Sequence, residues 1–318
     1  MKPVKIGISA CLLGEEVRFD GGHKRDRFLT DMLGPHVEWV PVCPEVEMGL
    51  GTPRESMRLV AAEGRGLRMI TTRTGIDHTD GMNRWARRRL GELARDQPDL
   101  CGYVLKKDSP SCGMERVKVY GHAGAPTRDG RGLFAAALLR RFPSLPVEEE
   151  GRLGDARLRE NFIERVFAYR RIKDLFGARW SLGDLVRFHT AHKMSLLAHS
   201  TVKYNQLGQL VAGARAIPRP SLRQQYEDLF MATLALIATP KRHANVLTHM
   251  LGHLKKLLDA ESRQELLQTI EDYRLGVVPL IVPLTLLRHH VRAHRVAYLA
   301  EQVYLDPHPR ELMLRNHV

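Results

Sequence analysis

Cysteine is scarce in this chain, with four among 318 residues. So few thiols cannot form the disulfide framework of a small secreted scaffold, and in a reducing compartment they point to metal binding or catalysis. Aromatic residues are also sparse, at 6 %, and there is no basic ribbon interleaved with them, no zinc-finger spacing and no RNA-binding sheet motif. No apolar run is long enough to cross a bilayer, and no repeat or low-complexity tract is present. The N-terminal MKPVKIGISACLLG pairs basic residues with an apolar stretch, as a leader peptide does. That stretch is brief, however, and Glu15 and Glu16 follow it at once. The expectation is a cytoplasmic protein without a targeting segment.

Positive charge is not scarce. The formal net charge is +13, which suits nucleic acid or a small anionic substrate. The basic residues are scattered among acidic neighbours, so the nucleic-acid reading rests on charge alone.

Two regions differ in the period of their apolar residues. VKIGISA, VEWVPV, LRMITT and CGYVLK read as short strands, with RVKVYG adding another. DRFLTDMLG, DGMNRWARRRLGELARD and GLFAAALLRRF read as helices between them. Alternating strands and helices predict an α/β domain with a parallel, Rossmann-like sheet. Beyond about Leu153 the strands give way to helical spacing in NFIERVFAYRRIKDLFG, LGDLVRFHTAHKMSLLAHS, LRQQYEDLFMATLALIA and the segments after them. The expected organisation is an α/β domain over residues 1–150 and an all-α domain over 151–318. The acidic VEEEGRLGD segment, 147–155, marks the shift.

Cys11, Cys43 and Cys112 each follow the carboxyl end of a predicted strand. In an open parallel sheet those ends share one edge, where ligands bind, so thiols distant in sequence converge there. Cys101 starts its strand instead, and a six-residue strand is roughly 20 Å long; it is expected near the opposite edge as a small buried hydrophobe. Three convergent thiols could hold zinc with a fourth ligand, supply one nucleophile, carry a cubane iron–sulfur cluster with one iron open, or simply lie buried. Glu45 stands two residues beyond Cys43, with Glu47 two further on, and Ser109 and Ser111 flank Pro110 just before Cys112. A carboxylate and a hydroxyl beside an open metal site can move a proton and position a water; alone, each would read as a helix N-terminal acid or cap.

SACLLG, FDGGHK, VCPEVEMGLGTPR, TGIDHT and LKKDSPSCG, occurring in that order, resemble the markers of the thiouracil desulfidase-type proteins over roughly residues 3–148. That resemblance implies a [4Fe–4S] cluster on Cys11, Cys43 and Cys112, with Glu45 and Ser109 as catalytic residues. Where many relatives carry a Gly-Gly pair, this chain has Glu47 and Met48. The implied reaction is non-redox desulfuration of a thiolated pyrimidine, of thiouracil or 4-thiouridine monophosphate type, replacing C=S by C=O with release of sulfide. The helical half resembles the YbgA-like domain through NFIERVFAYRRIKDL, FHTAHKMSLLAHS and YNQLGQLVA. The rival is a zinc-binding nucleic-acid or protein interaction module using the basic helical half.

Near the expected site, His23, Lys24 and Arg25 follow a glycine pair, Arg54 ends a Thr-Pro-Arg segment, and Thr79 and Asp80 follow LRMITT. Lys24 and Arg54 are the candidates for holding a substrate phosphate. Most of the fifteen histidines lie after residue 150. His189, His192 and His199 lie on one helical face, with no nearby carboxylate to complete a metal site; polar packing is the expectation. His289, His290 and His294 read as a solvated basic face.

Overall fold

A computed structural model describes residues 3–62, 66–121, 125–177 and 179–317. The chain divides into two compact units, Met1–Asp155 and Ala156–Val318.

The first unit holds two four-stranded sheets. Its strands are β1 (Val4–Ser9), β2 (Val37–Val42), β3 (Met57–Ala62), β4 (Gly66–Thr71), β5 (Leu100–Leu105), β6 (Val117–Tyr120), β7 (Thr127–Gly130) and β8 (Val147–Glu149). Its helices are α1 (Pro44–Glu47), α2 (Thr79–Asp96) and α3 (Leu133–Arg141). One sheet has the order β2-β1-β5-β8 with every pairing parallel. The two central strands explain the near-continuous apolar runs in the sequence. All six residues of β5 and five of six in β1 are buried, as strands covered on both faces must be. Gly7 pairs with Tyr103 across β1 and β5, and a Cβ on Gly7 would sit 2.2 Å from the tyrosine ring. The glycine lets that ring pack fully buried against Phe134 of α3, with ring centroids 5.8 Å apart.

The second sheet, β4-β3-β6-β7, is mixed. LRMITT, expected among the strands of the parallel sheet, is β4 and runs antiparallel to β3. The sequence reading missed β3, because MRLVAA continues directly from the loop after Cys43 without strong strand punctuation. DRFLTDMLG, expected as an ordinary helix, forms a π-helical turn (Phe28–Leu33) followed by a 3₁₀ turn.

The second unit is helical: α4 (Ala156–Gly177), α5 (Leu182–Ala191), α6 (Lys193–His199), α7 (Thr201–Ala212), α8 (Arg219–Leu234), α9 (Pro240–Leu254), α10 (Ala260–Arg274), α11 (Ile281–Ala293) and α12 (Ala297–Ala300). Apolar residues at helical spacing, such as Leu247, Met250 and Leu254 of α9 with Leu284 and Leu287 of α11, form its core. Two histidine readings need correction. The chain breaks at His192 between α5 and α6, so His189, His192 and His199 do not share one helix face. A carboxylate does stand by: Glu164 Oε2 lies 3.3 Å from His199 Nε2. His290 is buried rather than solvated, because α11 turns that position toward its neighbours. Among the described residues, no helix is long and apolar enough to cross a membrane.

Candidate active site at the ends of the parallel strands

Strands β1, β2 and β5 run parallel and end at Ser9, Val42 and Leu105. Their continuations therefore meet at one edge of the sheet. Cys11 lies in the single 3₁₀ turn after β1, Cys43 caps the start of α1 after β2, and Cys112 sits in the turns after β5. All three line one cavity of about 310 Å³, together with Lys24, Glu45, Arg54 and Ser109. Every candidate site residue from the sequence thus borders the same space. Cys101 does not border it; its thiol is buried and donates to the Asp99 carbonyl at 3.0 Å.

Burial, reinforced by the neighbouring Cys43 thiol, pushes the Cys11 thiol up to about 11. Burial likewise raises Cys43 and Cys112, and Cys112 is raised further by Glu45, Cys11 and Cys43. The three thiols are close enough to oppose one another's ionisation. Ser9 joins this group without having been singled out in the sequence. Its hydroxyl accepts from the Lys106 amide at 3.0 Å and also hydrogen-bonds Cys112, tying the ends of β1 and β5 together.

Glu45 occupies the first turn of α1, where Pro44 presets the helical φ. Arg54 grips one carboxylate oxygen, with Nε 3.0 Å and Nη2 2.5 Å from Oε2. The other oxygen, Oε1, accepts from the Ser111 hydroxyl at 2.7 Å. Ser109 Oγ lies 2.9 Å from Ser111 Oγ and itself accepts from the amides of Ser111 and Cys112. A carboxylate only accepts, so Ser111 donates to Glu45 and Ser109 donates to Ser111. The result is a proton-ordered chain from Ser109 through Ser111 to Glu45. The sequence offered both serines, but nothing in the spacing told which one reaches the carboxylate.

Arg54 was expected to hold phosphate. Its remaining donors bond Gly51 O at 2.8 Å, Thr52 Oγ1 at 3.3 Å and Val17 O at 3.0 Å, which engages all five of its N–H groups. Lys24 is exposed, its backbone amide held by Cys11 O at 2.8 Å, and no carboxylate pairs with its ammonium among the described residues. Lys106, also on the cavity wall, pairs with Glu150 at 2.5 Å. Other residues noted in the sequence point elsewhere. Glu47 accepts from the Cys43 amide at 3.1 Å and pairs with Arg89 of α2 at 3.0 Å. Arg25 pairs with Asp31, His23 accepts from the Arg25 amide, and Thr79 accepts from the Met69 amide. Asp80 is exposed in the first turn of α2.

The donor set bears on which metal group could be held. Among the described residues, no three His, Cys, Asp or Glu side chains gather closely enough for a single ion, and no histidine borders the cavity. A cubane cluster takes one thiol on each of three irons and so accepts thiols set further apart than one ion does. Three thiols on one cavity, with the Glu45 carboxylate already held by Arg54 and Ser111, fit a [4Fe–4S] cluster with one iron open better than tetrahedral zinc.

Residues 6–150 match the family model of 2-thiouracil desulfurase, and residues 193–309 match DUF1722, a family of unknown function. The uncharacterized protein YbgA of Escherichia coli is 31 % identical over 161 residues, which is 50 % of this chain and 95 % of YbgA. The uncharacterized protein YbbK of Bacillus subtilis is 30 % identical over 112 residues, 34 % of this chain and 72 % of YbbK. A solved structure of TudS, a [4Fe–4S]-dependent thiouracil desulfidase, is 35 % identical with a TM-score of 0.39, covering 47 % of this chain and 93 % of that one. The chain belongs to the 2-thiouracil desulfurase family through its N-terminal unit, joined to a C-terminal unit of the YbgA-like family.

Proposed function

We propose that the N-terminal unit catalyses non-redox desulfuration of a thiolated pyrimidine, of thiouracil or 4-thiouridine monophosphate type, exchanging C=S for C=O and releasing sulfide. The observation that carries this reading is the shared cavity, in which three thiols face a carboxylate already wired to a hydroxyl chain. Membership of the 2-thiouracil desulfurase family supports the same chemistry.

Cys11, Cys43 and Cys112 would hold a [4Fe–4S] cluster, which supplies a Lewis acid for the substrate sulfur at its iron without a protein ligand. Glu45 takes the proton of the water that attacks the ring carbon. The Arg54 guanidinium fixes this carboxylate in orientation until then. Ser111 holds the second carboxylate oxygen, so the group cannot rotate away from the thiols. Ser109 orders Ser111 and turns its own oxygen toward the amides of the cysteine turn. Lys24, exposed at the cavity, offers a cation to an anionic substrate group.

Anaerobic purification, followed by iron, acid-labile sulfide and zinc analysis and by turnover of 2-thiouracil and 4-thiouridine monophosphate, tests this reading. The expected result is about four irons and four sulfides per chain, with uracil-type product and free sulfide formed together. Stoichiometric zinc without labile sulfide, or a loaded protein inert toward every thiopyrimidine, would overturn it.

A further inference from the structure

Inside the helical unit lies a guanidinium with no carboxylate against it. Glu164, Ala168 and Arg171 follow one another along α4 at spacings of four and three, so they share one face. From that face Glu164 meets His199 of α6 at 3.3 Å. Arg171 Nη2 donates to the Pro307 carbonyl at 2.6 Å, which sets Arg171 against the C-terminal segment. Its Nη1 is buried without a hydrogen-bond partner, and no carboxylate pairs with Arg171 among the described residues. A buried charge left in that state is costly.

Four more buried polar atoms without partners stand on the elements that face it: Ser195 Oγ, His192 Nε2, His308 Nε2 and Arg315 Nη2. Ser195 shares the face of α6 that carries His199, four residues on, and His192 caps the start of that helix. His308 follows Pro307, and Arg315 reaches the same region through Glu160 of α4 at 2.9 Å and the Tyr304 carbonyl at 2.7 Å. Ser195, His192 and Arg315 are each at most 3 % exposed. Arg171 and Glu164 both act electrostatically on His192 and on His308, and Arg315 acts on His308. Ala168, also buried, puts only a methyl group between Glu164 and Arg171.

The chemistry of these five atoms is mixed. Arg171 Nη1, Arg315 Nη2 and the Ser195 hydroxyl donate. His192 Nδ1 meets the Phe188 carbonyl at 2.8 Å, and His308 Nδ1 meets the Pro309 carbonyl at 3.2 Å. A carbonyl only accepts, so each Nδ1 carries the ring proton and each Nε2 offers a bare lone pair. Burial, aided by neighbouring arginines, lowers His192 to about 3 and His308 to about 4, so both rings are neutral. Two guanidinium groups repel a metal ion, and two bare lone pairs repel chloride. Water would satisfy the hydrogen bonds and leave the Arg171 charge uncompensated. An oxyanion bearing a hydroxyl answers every atom, because its charged oxygens accept from the donors and its O–H donates to an imidazole.

We propose that Arg171, Arg315, Ser195, His192 and His308 enclose a site for one small oxyanion that carries a hydroxyl group. Bicarbonate and hydrogen phosphate share that chemistry. The site belongs to the helical unit and is independent of the desulfuration reading.

The test follows the melting of the full-length protein by its helical signal at pH 8, as bicarbonate or inorganic phosphate replaces gluconate at constant ionic strength. Beyond half-saturation, the melting temperature should rise about 3–5 °C for each tenfold of the anion that binds. A rise with bicarbonate alone assigns the site to the smaller anion, and a rise with phosphate alone to the larger. Sulfate, shaped like phosphate but without a proton, should give no such rise. Arg171→Met should abolish the rise while melting no lower than the unaltered protein in gluconate, since it removes an unpaired buried charge. Ser195→Ala, which keeps every charge, should move half-saturation to about tenfold more anion, and it decides the matter if Arg171→Met does not fold. A melting temperature indifferent to both oxyanions overturns the proposal and leaves water as the occupant. An equal rise with sulfate, or a rise that both variants leave intact, overturns it as well.

Discussion

Both units bury ionisable side chains, but they arrange them in opposite ways. In the N-terminal unit, three thiols, Glu45 and its serines surround a cavity of about 310 Å³. In the helical unit, Glu164 faces His199 at 3.3 Å, Glu160 faces Arg315 at 2.9 Å, and His243 bonds the Tyr304 hydroxyl at 2.8 Å. The space left among these helical groups is only about 50 Å³. Polar groups that face a void present chemistry to a ligand; polar groups that pair across helices, as these do, present stability and specificity of packing. Substitutions in the first unit should therefore damage turnover, and those in the second should damage folding.

The largest separation comes from the cysteines. Alanine at Cys11, Cys43 or Cys112 is expected to abolish both the visible absorbance of a bound cluster and activity, while Cys101→Ala keeps both; absorbance spectra and iron analysis check this. Loss of the cluster in the Cys101 variant would break the assignment of thiols to strand ends. Next is Glu45→Gln, expected to lower kcat by roughly 100-fold with iron content unchanged. Ser111→Ala, which leaves Oε1 without its donor, should cost more than Ser109→Ala. Wild-type rates in the Glu45 variant would remove it from the chemistry.

For the helical unit, Glu164→Gln strips a buried histidine of its charged partner and should cost about 3–5 kcal/mol in unfolding free energy, read by denaturant titration, with kcat per folded molecule unaltered. The last test is a slope with pH. Burial lowers His192 and His243 to about 3, and His189 and His308 to about 4. Their folded values lie below that of an unfolded histidine, so unfolding takes up protons once the pH falls below about 6.5, and stability declines with acidity. Each such histidine contributes up to about 1.4 kcal/mol per pH unit in that range. Glu164, held below the usual carboxylate range by His199 despite its burial, adds loss in the same direction only at lower pH. His199 itself is raised by Glu164; its contribution is full below about 6.5 and fades as pH rises through its folded value. Melting curves from pH 7.5 to 5 that show no acid-side decline would contradict the burial of these histidines.

Much of this contrast was legible in residue order. Thiols immediately after apolar runs fixed the strand ends from which they project, and Cys101 at the head of its run read as buried. The second sheet was not legible, because MRLVAA did not stand out as a strand and its antiparallel partner β4, read alone, looks like a member of a parallel series. The engagement of Arg54 was hidden too. Its acceptors include the carbonyls of Val17 and Gly51, and carbonyls from other segments leave no mark in a sequence. The break at His192 escaped notice for a related reason. Apolar spacing continues across it, and only backbone geometry separates α5 from α6.

The order of strands in the parallel sheet also has a consequence in time. β1 lies between β2 and β5, so the edge that gathers Cys11, Cys43 and Cys112 is complete only when β5 has docked on β1. Roughly a hundred residues separate the first thiol from the last, about 5–20 s of synthesis at common ribosomal rates. For most of that interval the nascent chain displays Cys11 and Cys43 without Cys112, open to oxidation or to soft metal ions that ask for fewer ligands. Loading of the proposed cluster would therefore wait on the docking of β5, and its yield in a cell should respond to oxygen and metal supply during translation as much as to the stability of the finished protein.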